Sequence, residues 1–82
     1  MNLFVSARAK KDLGKLDQKT LQRIDNTLKK LLANPGMVDL KKLKGQADKW
    51  RLRVGDYRLI LTVDWKHDAV FLIRVLHRKD AY

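Results

Sequence analysis

The sequence predicts an α+β fold, in which a short N-terminal strand and a helical hairpin precede an antiparallel three-strand meander. Between residues 7 and 32 the apolar residues recur every three or four positions, which is the spacing of helices that bury one face. From residue 50 onward apolar and polar residues alternate instead, as they do along strands. The 82 residues suffice for one small domain. We therefore expect one domain over residues 1–82, with both helices on one face of an antiparallel sheet.

The first strand and the first helix are expected in the N-terminal segment. The stretch from Met1 to Val5 is mostly apolar and predicts a short strand, which Ser6 follows with a side chain suited to cap a helix. A short helix is expected from Ala7 to about Lys15. Gly14 is expected to mark its exit.

A second, longer helix is expected to begin after Asp17, which has a side chain suited to the N-cap. The sequence Asn34-Pro35-Gly36 should end it, because proline disfavours helical geometry in the preceding residue and glycine admits a turn. One apolar stripe runs along this helix, formed by Leu21, Ile24, Leu28, Leu31 and Leu32.

The meander is predicted from the change to period two. After a linker that contains Val38, Leu40 and Leu43, a strand is expected at Trp50–Val54, with Trp50, Leu52 and Val54 facing the core. Gly55-Asp56 fits a two-residue turn of the primed type, so Tyr57–Val63 should pair antiparallel with that strand. Val70–Leu76 is apolar on both faces except at Arg74, which predicts a central strand.

The amino-acid composition limits which partners the chain can attract and which catalytic groups it can use. The chain has 19 Lys and Arg against 9 acidic residues, a formal charge of +10 that attracts nucleic acid, acidic proteins or anionic membranes. Cysteine is absent, which excludes disulfides and thiolate chemistry, and all nine acids are Asp, which excludes a glutamate base. The two histidines have no neighbouring ligands, so neither a metal nor another cofactor is expected. With no long apolar run and no secretion signal, a cytoplasmic protein is expected.

One face of the predicted sheet collects groups that suit a phosphodiester. Guanidinium groups present a planar fork of donors that matches phosphate, and several of them would stabilise the extra negative charge of an in-line displacement. RNA supplies its own 2′-hydroxyl nucleophile, so oriented cations and an acid/base pair can cut it without a metal. The expected catalytic set comprises Arg51, Arg53, Arg58, His77, Arg78 and Tyr82.

Each of these residues also has a structural interpretation. Exposed strand arginines are commonly solvated charges, and His77 shares its parity with Phe71, Ile73 and Val75, which fits a histidine at the edge of the core. Trp50 alternates with core residues, which favours packing over base stacking. The Lys-rich segment after the helices fits a phosphate-contacting patch or a solvated loop. Contacts to RNA or the ribosome are expected from Lys41, Lys42, Lys44, Lys49 and Lys79.

The motifs L-K-K-L-K-G, W-R-L-R-V-G-D-Y-R-L-I-L and R-V-L-H-R-K-D-A-Y, in that order, resemble the RelE branch of the RelE/ParE toxin superfamily along the whole chain. The resemblance implies a ribosome-dependent endoribonuclease that cuts mRNA in the A site. It places Arg58 and Arg78 at the scissile phosphate and Tyr82 at the C-terminal tyrosine of the family. Arg51 and Arg53 replace lysines, one of them a proposed general base, so His77 is the expected acid/base group here.

The resemblance also implies a partner and leaves an alternative function. A RelB-like acidic antitoxin, largely disordered alone, would wrap the basic domain and carry the DNA-binding part, so direct DNA recognition by this chain is not expected. The alternative is a ParE-like toxin that inhibits DNA gyrase without nuclease activity. A third possibility is a toxin that has lost activity and only binds its partner.

Overall fold

The computed structural model describes residues 1–45 and 48–80 and contains a five-stranded mixed sheet with two α-helices on one side. In the sheet the strands follow the order β1-β5-β4-β3-β2, and every pair is antiparallel except β1 with β5. In chain order the elements are β1 (Asn2–Val5), α1 (Ala7–Gly14), α2 (Gln18–Ala33), a 3₁₀ turn (Pro35–Met37), β2 (Leu40–Lys42), β3 (Lys49–Val54), β4 (Tyr57–Asp64) and β5 (Ala69–His77).

The helices begin and end close to the predicted residues. The Ser6 hydroxyl accepts a hydrogen bond from the Ala9 amide at 3.0 Å and so caps α1, as predicted. Asp17 occupies the N-cap position of α2, but its side chain makes no capping hydrogen bond. At the end of α2 the Asn34 side chain instead accepts from the Gly36 amide and starts the 3₁₀ turn. Of the helices in the described residues, none is long and apolar enough to cross a membrane.

The core lies between the helices and one face of the sheet, which we call the helix face. From β3, β4 and β5 it receives fully buried leucines such as Leu52, Leu59 and Leu72, and Trp50 packs against its margin. The inward assignment of Trp50, Leu52 and Val54 is thus confirmed. From the helices the buried contributors are Ala9, Ile24, Leu28 and Leu31. The opposite side of the sheet, which carries Arg51, Arg53, Arg58, Thr62 and Phe71, is called the open face.

β1 is short, and α1 takes over its place along β5. The strand pairing ends at Val5 opposite Leu72, after which the Asp12 carboxylate accepts from the Val75 amide and from the Arg74 guanidinium, both at 2.9 Å. A helix carboxylate therefore satisfies an edge amide that no strand reaches. This parallel pairing of β1 also makes the sheet mixed, whereas the sequence predicted a purely antiparallel one.

The predicted linker contains a strand. β2 pairs antiparallel with β3, with Leu40 opposite Leu52 and Lys42 opposite Trp50. Three residues with two lysines give no alternating apolar pattern, and charged, short strands are typical of sheet edges. The sequence therefore has no pattern that indicates β2, and for this reason the segment was predicted to be a loop.

A β-bulge in β5 changes which residues share a face. Ile60 lies opposite Arg74 while Leu61 lies opposite Leu72, so Ile73 has no partner residue in β4. Residues before and after the bulge therefore have opposite parity. Phe71 is on the open face, whereas Val75 and His77 lie on the helix face, so the shared parity that we assigned to Phe71 and His77 is wrong.

The β3–β4 hairpin has the predicted two-residue turn. Val54 lies opposite Tyr57, and of the two turn residues only Gly55 has a positive φ, at 58°. This is the pattern of a type II′ turn, in which glycine takes the first central position.

Gly55→Ala is expected to destabilise the protein by about 1–2 kcal/mol, because an L-residue is strained at positive φ. The added Cβ would also lie 3.0 Å from an Nη atom of Arg23. Gly14→Ala is the matched control, since a Cβ there meets nothing within 4 Å and alanine favours a helix. Urea unfolding midpoints measure both changes, and equal midpoints for the two variants would contradict the expectation.

Candidate functional site

The open face brings together the strand arginines and two of the lysines. Register places Lys41 opposite Arg51, and Arg53 opposite Arg58. Because residues that lie opposite each other in a sheet share a face, these four side chains belong to one cationic surface. Lys49 lies on the same face of β3, whereas Lys42 lies opposite Trp50 on the helix face.

Arg58 is the unusual member of this surface because it is buried, with 7% of its surface exposed. Its Nη1 donates to the carbonyl oxygens of Gly55 at 3.2 Å and Tyr57 at 3.0 Å. Its Nε is buried and has no hydrogen-bond partner among the described residues. Within residues 1–45 and 48–80, Arg58 also makes no ion pair with a carboxylate. The sequence predicted its face correctly but gave it an exposed position.

Arg51 and Arg53 are held near the edge of the sheet by the segment before β2. An Nη2 atom of Arg51 lies 3.9 Å from the Asp39 carboxylate, and the Arg53 amide donates to the Asp39 carbonyl at 3.1 Å. The Arg53 side chain is exposed, whereas that of Arg51 is mostly covered. Arg53 is therefore the more accessible of the two for a ligand.

Arg78 follows β5 and lies against the β3–β4 turn. Its amide donates to the Asp56 carbonyl at 2.7 Å, and its Nη1 lies 3.9 Å from the Asp56 carboxylate. The Arg58 guanidinium is anchored at the same turn through the Gly55 carbonyl. Arg58 and Arg78 thus both bond to this turn, at one end of the sheet, which the sequence alone did not specify.

His77 is adjacent to Arg78 in sequence but lies on the helix face. Its ring packs edge-on against Tyr57 with centroids 5.3 Å apart, and Tyr57 itself packs against the core. The Nδ1 atom of His77 accepts from the Lys79 amide at 3.3 Å, which leaves Nε2 as the protonated nitrogen of the neutral ring. The structure therefore places His77 beside the end of the sheet and not over the open face.

The remaining predicted site residues are dispersed. Lys44 and Lys79 are exposed in turns on either side of the strands, and Lys49 is half-buried opposite Thr62. Tyr82 lies outside the described residues. Among residues 1–45 and 48–80, no three histidine or aspartate side chains are grouped to hold a metal ion.

Two features of the site had no clear signal in the sequence. Asp56, which we assigned only to the turn, also positions Arg78 through its carbonyl. Phe4 and Phe71 stack on the open face with centroids 5.2 Å apart, although 51% and 39% of their surfaces are exposed. The alternation of β1 could have indicated Phe4, but the bulge hid the face of Phe71.

Comparisons with known proteins agree on one family. A family model described as the ParE toxin of the type II toxin-antitoxin system parDE matches residues 3–82. A putative toxin RelE1 of Methanocaldococcus jannaschii is 29% identical over 99% of this chain and 93% of its own length.

Solved structures give the same result. The RelB-RelE antitoxin-toxin complex from Methanococcus jannaschii is similar with a TM-score of 0.79 and 29% identity, over 96% of this chain and 98% of that one. The archaeal RelE-RelB complex from Pyrococcus horikoshii is similar with a TM-score of 0.82 and 27% identity, over 98% of this chain and 97% of that one. The isolated E. coli RelE toxin is similar with a TM-score of 0.78 and 27% identity, over 93% of this chain and 82% of that one. The chain therefore belongs to the RelE/ParE superfamily of toxins of type II toxin-antitoxin systems.

Proposed function

We propose that this chain is a ribosome-dependent endoribonuclease that cuts mRNA in the ribosomal A site and thereby stops translation. The observation that carries the proposal is the buried guanidinium of Arg58, which has no carboxylate partner in the described residues. A buried cation is costly unless a counter-ion pairs with it. A phosphodiester bound at Arg58 would supply that counter-ion, and its charge would increase in the transition state.

The proposed reaction uses the 2′-hydroxyl of the substrate. The 2′-oxygen loses its proton and attacks the adjacent phosphorus, the bond to the 5′-oxygen breaks and that oxygen takes up a proton to leave as a hydroxyl, and a 2′,3′-cyclic phosphate forms. Arg58 and Arg78 would bind the non-bridging oxygens at the end of the sheet, and Arg53 and Arg51 would hold the neighbouring backbone. Arginine is too basic to accept the 2′ proton usefully, so these groups bind and orient while another group moves the proton.

His77 is the group that we propose for proton transfer. Its position beside Tyr57 requires the RNA to pass round the end of the sheet, near the β3–β4 turn, instead of lying only across the open face. Arg58 and Arg78 are anchored at that same turn, which supports a scissile phosphate at this end. Tyr82 is proposed to orient or stack on the substrate, as the family resemblance implies. The proposed reaction needs no metal or cofactor.

His77→Gln is expected to reduce cleavage about 100-fold or more, because general acid/base catalysis typically contributes that much. Glutamine keeps a hydrogen-bonding group but cannot exchange a proton near neutral pH. The measurement is the single-turnover rate on programmed ribosomes between pH 5.5 and 8.5, with His67→Gln as the control for loss of the other histidine. An unchanged rate and pH profile in the His77 variant would assign proton transfer to the ribosome or to Tyr82.

The function itself is tested with purified protein and ribosomes that hold a defined mRNA codon in the A site. Cleavage within that codon, with a cyclic phosphate at the new 3′ end, is expected, and free mRNA should stay intact. Intact message on ribosomes, from a protein that still arrests growth, would contradict the proposal.

Gyrase inhibition is the second candidate, because the matching family model bears the ParE description. Inhibition of supercoiling by purified gyrase, together with an SOS response and continued translation, would establish it instead. The similar solved structures that share 27–29% identity are RelE toxins, which favours the nuclease.

An acidic antitoxin is the proposed partner, and a cytoplasmic location follows from a ribosomal target. Several of the similar structures are complexes of RelE with RelB. A charge of +10 and the cationic side chains of the open face provide the electrostatic complement to such a partner. DNA recognition is expected to reside in the antitoxin and not in this chain.

A further inference from the structure

The open face has an aromatic half in addition to its basic half. Register aligns Lys49 of β3, Thr62 of β4, Phe71 of β5 and Phe4 of β1 in one row across four strands. The two phenylalanine rings stack on each other, inclined by 19°, and remain substantially exposed. Exposed rings on a sheet that also carries cations are the arrangement with which proteins bind single-stranded nucleic acid.

Thr62 creates a gap in this row. Phe71 and Lys49 are two strand spacings apart, about 10 Å, and the short threonine side chain lies between them. A planar base standing over Thr62 would contact the outer face of the Phe71 ring at about 3.5–4 Å and leave space for the Lys49 side chain on its other side. Within the described residues the Thr62 hydroxyl makes no hydrogen bond with another side chain, so it can bond to the edge of a base.

We infer that this gap, bordered by Phe71, Thr62 and Lys49, is a site for one unpaired base of single-stranded RNA. The inference rests on the proposed nuclease function and adds a subsite away from the scissile phosphate. Thr62 is four residues from Arg58 along β4, about 13 Å, so an RNA strand that contacts both would run along this strand.

Charge favours RNA over a protein as the occupant. The strands carry only cationic charges in the three open-face rows that run from Lys49 to Arg58. These cationic residues are Lys41, Lys49, Arg51, Arg53, Arg58 and Arg74. Asp39 contacts Arg51 and Asp12 binds Arg74, so a protein segment would have to bring its own acids to the other four cations.

The test is binding of two fluorescent probes by the full chain: a short single-stranded RNA, and an abasic oligonucleotide with the same number of phosphates. The RNA carries a 2′-O-methyl group at each position, which blocks the 2′ nucleophile and so prevents cleavage without removing the bases. Phe71→Leu should weaken binding of the base-bearing probe about tenfold, because one base–aromatic stack is lost, and should leave the abasic probe unchanged. Thr62→Val, which keeps the side-chain shape, should weaken only the base-bearing probe to a smaller extent.

Trp65→Leu is the matched control, because Trp65 is 56% exposed and packs edge-on against Trp50, whose side chain lies on the helix face. It should bind both probes as the unmodified chain does. Equal affinities of Phe71→Leu and the unmodified chain for the base-bearing probe would overturn the inference and leave the aromatic pair to a protein partner. Equal affinities of the unmodified chain for both probes would overturn it as well.

The two proposals can fail separately. Arg58→Ala protein that no longer cuts RNA but still prefers the base-bearing probe would support the base site independently of catalysis. Normal A-site cleavage together with unchanged binding by Phe71→Leu and Thr62→Val would retain the nuclease and overturn the base site.

Discussion

Arg58→Met is expected to give a protein that is at least as stable as the original chain and has lost RNA cleavage. Arg58 is buried in the central strand β4 between Arg53 and Leu76, and no carboxylate of the described residues pairs with it. Replacing a buried ion pair by apolar side chains of similar volume is often neutral, or stabilising by about 1–4 kcal/mol, and at Arg58 no partner carboxylate of the described residues is left behind. Methionine also removes the buried Nε that lacks a hydrogen-bond partner among the described residues.

The same change should reduce A-site cleavage about 100- to 1000-fold, because a positioned group that stabilises developing negative charge contributes that much. Unchanged or higher stability together with lost cleavage would show that Arg58 is needed for the reaction and not for folding. Urea unfolding and single-turnover cleavage on ribosomes measure the two effects.

Two further variants separate charge from position. Arg8→Met removes an exposed arginine of α1 and should change neither stability nor cleavage appreciably. Arg58→Lys keeps a charge but not the planar fork, so cleavage should remain well below that of the original chain. If Arg58→Met unfolded at a markedly lower urea concentration, the guanidinium would have a structural role, and the main argument for a phosphate at this position would be lost.

The sequence predicted those parts of the fold that depend on neighbouring residues. The β3–β4 hairpin follows from strict alternation around Gly55-Asp56, and the end of α2 follows from Asn34-Pro35. Pairings between distant segments were predicted less well. β2 is defined by its partner β3, and the parallel pairing of β1 is defined by β5, so neither has a pattern of its own.

For the candidate site, too, the sequence predicted the features that depend on neighbouring residues and missed those that depend on distant ones. Alternation along β3 and β4 gave the faces of Arg51, Arg53 and Arg58 correctly, because those strands have no bulge. It could not give the depth of Arg58, which depends on its central position in the sheet, or the face of His77, which depends on the bulge at Ile73. Parity is a local rule, and one extra residue reverses it for the rest of a strand.

Asp12→Asn is expected to destabilise the protein by about 1.5–3 kcal/mol at pH 7. The Asp12 carboxylate is mostly buried and holds α1 against the edge of β5 through the Arg74 guanidinium and the Val75 amide. Hydrogen bonds to a charged group contribute about that much each. Asparagine can still accept from the Val75 amide, so the loss should come mainly from the bond to Arg74. Asp25→Asn is the matched control, because Asp25 pairs with Lys29 at 3.0 Å on the exposed side of α2, and such surface pairs contribute about 0.5 kcal/mol or less.

The pH dependence of the effect of Asp12→Asn tests the same contact a second time. The hydrogen bond from Arg74, together with the Val75 amide and the Arg74 charge, lowers the pKa of Asp12 below its ordinary value, although burial opposes this shift. Because the folded-state pKa lies below the unfolded one, the carboxylate stabilises the fold fully above about pH 4–5, and this stabilisation disappears as the pH falls through the folded-state pKa. The difference in unfolding free energy between the original chain and Asp12→Asn should therefore be constant from pH 7 to 5 and shrink toward pH 3. Urea unfolding at pH 7, 5 and 3 measures it, and a difference that stays constant down to pH 3 would show that the charge of Asp12 does not hold α1 to the sheet.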